Sequence, residues 1–230
     1  MTVKLIYLAR RAASVAREDW PRTWRSHAIF ASQFPVLEAS IDWMRYCNRI
    51  DTGLPGISAQ HDGVAVAASD SLAGLNGAGF SDADRAAIDA DELRVFDMLT
   101  PNFTYYCEEV PIQGGALGEV AVYSFLARQP GISHEEFDAR WNGSHAGVAR
   151  AAIAALGTMS RYVHNRPLHD PLPLFPFDGI AEGWFASAGD AEAAFSGNAL
   201  DPLRRDLAAF CDFGQSVVML TGVCHRWPKR

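Results

Sequence analysis

Short matches recurring in the same order in both halves constrain this chain more than any other feature of it. Leu8-Ala9-Arg10 returns as Leu126-Ala127-Arg128, and Ser26-His27-Ala28 returns as Ser144-His145-Ala146, both 118 positions on. Arg45-Tyr46 returns as Arg161-Tyr162, and Asp62-Gly63-Val64-Ala65 as Asp178-Gly179-Ile180-Ala181, both 116 positions on. Phe96-Asp97 is echoed by Phe210-Cys211-Asp212. One such match is chance, but five in one order mark an internal duplication. The seam is the Gly-rich stretch Gln113-Gly114-Gly115-Ala116-Leu117-Gly118, of the flexible kind that joins modules. The expected organisation is a module at 1–112, a linker at 113–118 and a second module at 119–230.

The periodicity inside each half is readable. Val120 to Leu126 is β-branched and aromatic, as a strand requires. After the Gln129-Pro130-Gly131-Ile132 turn, Ser133 stands three before Glu136, the spacing of a capping box. Phe137, Trp141 and His145 then fall on one helical stripe. Strands are expected at Arg161–Asn165, Gly179–Phe185 and Gln215–Gly222, with a helix over Asp190–Phe195. The first half follows suit, with strands at Val3–Leu8, Trp43–Asn48, Val64–Ala68 and Asn102–Glu108. Its helices carry Trp20, Trp24 and His27, and span Ala83–Phe96. Both halves read βαββαβ, the ferredoxin-like plan. A sheet with helices on one face must bury the other. The expected fold is therefore α+β, with two tandem ferredoxin-like modules whose sheets face each other as an α+β barrel.

Composition narrows the function classes. The net charge is −7 over 230 residues and no run of Lys and Arg exceeds a pair, which argues against nucleic acid. Only the tail from His225 to Arg230 is locally basic, as a frayed terminus would be. No segment approaches the ~20 apolar residues of a membrane span. The N-terminal apolar run is too short for a signal-peptide core. Cys47, Cys107, Cys211 and Cys224 form no C-x-x-C pair, which suits a reducing cytoplasm. Neither an H-x-x-x-H pair nor a Gly-rich phosphate loop is present, so neither metal nor nucleotide is expected.

The second half resembles the EthD family of the dimeric α+β barrel superfamily. The residues that carry the resemblance are Leu126-Ala-Arg-Gln-Pro-Gly-Ile-Ser133, Glu136-Phe137, Trp141, His145, Arg161-Tyr-Val-His-Asn165 and Phe177-Asp-Gly-Ile-Ala-Glu-Gly-Trp-Phe185. The first half keeps the skeleton but lacks the Pro-Gly-Ile-Ser turn and has Val66 where the second has Glu182. It reads as a degenerate copy that completes a pocket wall. The resemblance implies the fold strongly. For activity it points to dehydratases, decarboxylases and cyclases of aromatic polyketide-type compounds, while the wider superfamily includes monooxygenases, haem enzymes and lactone isomerases. A fused chain of this kind either replaces the usual dimer or pairs again as a homodimer.

The candidate site follows from strand alternation. Asp178, Ile180, Glu182 and Trp184 share one face of their strand. Carboxylates on an enclosed face are costly unless paired, so Glu182 and Asp178 are candidate acid–base groups. The bland alternative has Asp178 capping the strand entrance and Glu182 paired with Arg161 or another cation. His145 and its repeat His27 lie late on their helices, as general acid or base or as structural histidines. Trp141, Tyr162, His164, Trp184 and Phe177 would line a substrate pocket, with His27, Tyr46 and His61 contributed by the first half. The loop from His169 to Phe177 is a candidate lid. The reading is a cofactor-independent lyase or isomerase, with Glu182, His145 and Asp178 as its catalytic set. Its substrate would be a small aromatic or polyketide-like carbonyl compound. The rivals are a non-catalytic binding protein for a hydrophobic metabolite, and a haem protein with His145 as axial ligand.

Overall fold

The computed structural model describes residues 2–77 and 79–227; Pro228, Lys229 and Arg230 of the basic tail lie outside the described residues. The chain divides into two compact units that do not follow the Gly-rich seam. Unit one holds the first half except for Ile50–Ser58, ends at Glu108, and takes in the segment from Val223; unit two holds Ile50–Ser58 and Glu109–Gly222.

Unit one runs β1 (Val3–Ala9), α1 (Trp20–Ala31), α2 (Pro35–Ser40), β2 (Trp43–Arg49), β3 (Gly63–Ser69), α3 (Leu72–Leu75) and α4 (Asp82–Val95), then enters β4 (Thr104–Gln113). Antiparallel pairing orders its strands β4-β1-β3-β2. Strand β3 is buried along its whole length and built of Gly, Ala and Val up to a terminal Ser69, so helices approach it closely. Gly63 makes that approach possible: a Cβ there would overlap the Trp24 ring. Helix α1 starts with proline in its first turn, where no amide hydrogen is needed. Helix α4 is fixed by a reciprocal capping box between Ser81 and Asp84.

Unit two runs β5 (Val120–Leu126), α5 (His134–Arg140), a π-turn (Trp141–His145), α6 (Ala146–Leu156), β6 (Met159–Pro167), β7 (Gly179–Phe185), α7 (Ala188–Ser196), α8 (Asp201–Leu207) and β8 (Val217–Trp227). Its strand order is β8-β5-β7-β6. Taken by pairing, all eight strands form a closed antiparallel barrel, β1-β3-β2-β8-β5-β7-β6-β4, within a mixed α+β fold. Ser133 accepts from the Glu136 amide at 3.1 Å, as its spacing predicts. The Glu136 carboxylate takes Arg140 as its partner at 2.7 Å, so its side chain is drawn along the helix.

The register corrects two literal matches between the halves. Leu8 pairs with Val64 and Phe125 with Ile180, so β1 and β5 are offset by 117, and Arg11 corresponds to Arg128. Tyr46 pairs with Ala65 and His164 with Ala181, so Tyr46 corresponds to His164, not Tyr162. Tyr162 stands opposite Gly183, in the place of Met44 opposite Ala67. The π-turn explains a further slip. Three residues separate Trp24 from His27, but four separate Trp141 from His145, and a π-turn takes up one extra residue. A Cβ at Gly179 would overlap Trp141 just as one at Gly63 would overlap Trp24, so the tryptophans are the fixed points.

Candidate functional site

The catalytic set expected in unit two is not brought together. His164 is paired with Ala181 and stacks on Trp141 at 4.2 Å, which puts it on the helix side of the sheet. His145 lies beside it, with ring centroids 5.8 Å apart. Glu182 is paired with Val163, the alternate position, and therefore occupies the opposite face. The pairing of His145 with Glu182 over one substrate is thus corrected by strand alternation: a sheet lies between them. Tyr162 joins His164 on the helix side, and Trp184 joins Glu182 on the other.

Each group has its own account. Glu182 is fully buried and accepts from Trp184 Nε1 at 2.6 Å and Asn165 Nδ2 at 3.0 Å; Arg161 bonds Glu109 instead of Glu182. Asp178 accepts from the Arg128 amide at 2.9 Å, pairs with the Arg128 guanidinium and lies 2.9 Å from His134 Nδ1. Asp62 holds Arg11 in the same manner, through its amide at 3.0 Å and its guanidinium at 2.6 Å. Both aspartates latch the strand entrance to the next segment, which is the structural alternative for Asp178. Phe177 is buried against Phe125 at 5.4 Å, so the end of the 169–177 loop is packed down. His61 is buried just before β3, and its imidazole is pushed down to about 4 by burial and then by Arg10.

His145 is fully buried, with Nδ1 2.6 Å from Asp206 Oδ2. His164 Nδ1 lies 3.1 Å from Asn142 Oδ1. Burial lowers the His145 pKa against the upward pull of Asp206, and burial, followed by His145, takes His164 well below its ordinary value. Both rings are neutral at pH 7, and each leaves Nε2 without a hydrogen-bond partner. The site is packed. Trp141, Phe137, Tyr162, Met159, Phe185 and Phe210 belong to one continuous core. A haem on His145 does not fit, because the side chain is fully buried against this packed core. Among the described residues no cluster of three His, Cys, Asp or Glu side chains is arranged for a metal.

Unit one is different in the corresponding space. A cavity of about 360 Å³ lies between its sheet and helices. Leu5, Tyr7, Met44, Tyr46 and Ala67 come from the sheet, and His27, Ile41, Leu75, Ile88 and Glu92 from the helices. One small hydrophobic cluster of this unit is centred on Val3, Ala67 and Leu75, apart from the packed rings of Trp20, Trp24, Phe96 and Phe103. Met44 in place of Tyr162 contributes to the open volume. His27 and Tyr46 therefore reach a cavity wall, whereas His61 lines no part of it.

The polar groups of this cavity form a graded set. His27 Nδ1 lies 2.7 Å from Asp91 Oδ2, repeating the His145–Asp206 pair. Burial raises the Asp91 pKa, but hydrogen bonds from His27 and Arg94 bring it below the ordinary carboxylate value. With Nδ1 committed to Asp91, Nε2 is the nitrogen left to meet a ligand. Tyr7 is buried, and its hydroxyl lies close to Trp24 and Tyr46 without good hydrogen-bond geometry to either. Burial, then the Tyr46 hydroxyl, raise its pKa well above the ordinary value, and burial raises that of Tyr46. Both phenols keep their protons and are donors at neutral pH. Glu92 is occupied, accepting from the Thr100 amide at 2.8 Å and Thr100 Oγ1 at 2.6 Å.

Sequence reasoning missed Tyr7 and Asp91. Tyr7 was within reach: it alternates with Leu5 on β1, facing the same side as Tyr46. Asp91 and Asp206 are 115 apart, in helices with no other literal match, so nothing in the sequence marked them.

The family model for the EthD domain matches the second half of the chain. The match covers residues 129–214. No curated protein matched the chain. Solved structures similar to it include a candidate monooxygenase of Fusobacterium nucleatum subsp. nucleatum, at 6% identity and a TM-score of 0.60, covering 98% of this chain and 93% of the other. An anthrone oxidase-like protein is similar at 12% identity and 0.57, covering 98% and 91%. A candidate chlorite dismutase is similar at 10% and 0.53, covering 96% and 94%. These are dimeric α+β barrel proteins, and at such identities the likeness shows the fold alone. The EthD domain ends short of the unit that holds the cavity. Among the described residues no helix is long and apolar enough to cross a membrane.

Proposed function

We propose that this chain is an enzyme that binds a small, mostly apolar carbonyl compound in the unit-one cavity. On it the chain performs acid–base chemistry of the lyase or isomerase type, without a cofactor. The reading draws on two modules of ferredoxin-like plan, supported by the strand orders β4-β1-β3-β2 and β8-β5-β7-β6. The observation that carries it is the Tyr7 hydroxyl, buried on the wall of an apolar cavity that His27 also lines, close to Trp24 and Tyr46 but in good hydrogen-bond geometry with neither. A buried orphan donor costs about 1–3 kcal/mol, and a ligand oxygen would remove that cost.

The chemistry follows from the tautomer. If Nδ1–H of His27 donates to Asp91, Nε2 carries a lone pair and can take a proton from a carbon next to a carbonyl. Negative charge then develops on the carbonyl oxygen, where Tyr7 and Tyr46 can donate. Returning the proton to another atom isomerises the compound, loss of a β-hydroxyl dehydrates it, and attack of the enolate on a second carbonyl closes a ring. Asp91 positions His27 and does not touch the substrate. The four free cysteines support a reducing, cytoplasmic setting.

The test is hydrogen–deuterium exchange at C1 of 2-tetralone in D2O, followed by proton NMR. The wild-type chain should accelerate exchange over buffer, and His27→Gln should lower that acceleration about a hundredfold or more. A wild-type rate equal to buffer, with tetralone bound, would make this a sheltering protein for a hydrophobic metabolite.

A further inference from the structure

The cavity has a second polar end, remote from His27. Arg85 lines it from α4, and its guanidinium lies 4.9 Å from the centroid of the Phe80 ring. Its Nη2 packs against Gly77, whose φ of +68° brings the backbone under the side chain. Among the described residues no carboxylate forms an ion pair or side-chain hydrogen bond with it, although Asp89 stands one turn further along the same helix and also lines the cavity. Arg10, Arg11, Arg22, Arg94, Arg128, Arg140, Arg161 and Arg204 all have carboxylate partners. An unpaired, half-buried guanidinium held flat by an aromatic ring is prepared for a planar anion.

We infer that the compound taken by this cavity carries a carboxylate, and that Arg85 binds it at the opposite end from the reacting carbon. The inference rests on the function proposed above. Helical geometry sets the spacing: six residues of α4 separate Arg85 from Asp91, which holds His27, so the two ends are about 9 Å apart along the helix at 1.5 Å per residue. Leu5, Ile41, Met44, Leu75 and Ile88 lie among the cavity walls. That pattern selects a rigid ring acid with its hydroxyl or carbonyl at one end and its carboxylate at the other. Asp89, two residues from Asp91 on the same helix, disfavours an anion towards the His27 end and leaves Arg85 as the end that takes the carboxylate.

The probe is 6-hydroxy-2-naphthoic acid, compared with its methyl ester, with binding followed by calorimetry on the full chain. The acid should bind more tightly than the ester. Arg85→Gln should weaken the acid about ten- to a hundredfold, the value of a charged hydrogen bond, and leave the ester unchanged. Arg85→Lys keeps the charge without the fork and should fall between. Equal binding of acid and ester, or equal losses for both in Arg85→Gln, would overturn the role of Arg85 while leaving the cavity reading intact. Failure of both probes to bind the wild-type chain would overturn the cavity reading and this inference together. Circular dichroism of each variant separates a lost contact from a lost fold.

Discussion

His145 and Glu182 stand on opposite faces of one sheet, although both are fully buried and both lie within the stretch that the EthD domain model matches. His145 answers to Asp206, and Glu182 accepts from Trp184 and Asn165. Replacing them should therefore give independent losses of stability. Glu182→Ala leaves two buried donors unmet and should cost about 1–3 kcal/mol for each group left unsatisfied. The coupling in a double-mutant cycle should stay within about 0.5 kcal/mol. Urea denaturation of the two single variants and the double variant measures it, and a larger coupling would mean that the two groups meet.

Gly63 and Gly179 each receive a tryptophan ring where a Cβ would sit. Gly63→Ala and Gly179→Ala should each destabilise the chain by about 1–3 kcal/mol, as overpacked cores do. Thermal denaturation reports the loss. Gly143→Ala, with open space at the same position, is the control and should change little.

Asp178 is a latch, and its loss should appear in stability and not in ligand binding. Asp178→Asn weakens a buried carboxylate's pairing with a partly exposed Arg128, so the cost should be about 2 kcal/mol or more, below the full value for a wholly buried pair. Affinity of the unit-one cavity for 6-hydroxy-2-naphthoic acid should be unchanged. A variant that keeps its melting temperature but loses the ligand would give Asp178 a role in the site.

Three histidines make the fold sensitive to acid. His61, His145 and His164 are all lowered from 6.5 in the folded chain, His61 to about 4. Once the pH falls below about 6.5, the unfolded chain binds protons that the folded chain refuses, so stability drops. For His61 the window runs from 6.5 down to about 4. Each such histidine adds up to about 1.4 kcal/mol per pH unit inside its window. His61→Gln should flatten the decline between these values relative to wild type, and an unchanged slope in urea melts would show that His61 titrates normally.

Much of the fold was legible because it rests on local pattern. Strand β7 runs Gly179–Phe185, as alternation in the sequence predicts; β1 and β2 differ from expectation by one residue at one end, and β3 by one residue at each end. Short helices α2, α3 and α8 were not legible, since four to seven residues carry no period. The expected site failed for a reason of geometry. Alternation gave the face of Glu182 within its own strand, but only the pairing of His164 with Ala181 reveals which face the helices cover. The cavity was hidden because it depends on volumes at matched positions, Met44 against Tyr162, and literal matching had aligned Tyr162 with Tyr46 instead.

The π-turn at Trp141–His145 takes up one residue more than the matching stretch from Trp24 to His27. Aligning the two halves by place in the fold therefore requires a gap inside this helix, with His145 meeting Asp206 as His27 meets Asp91. Any phylogeny or ancestral reconstruction of the two halves must place a gap within that helix. Without it, every residue on one side of the gap is compared with the wrong counterpart.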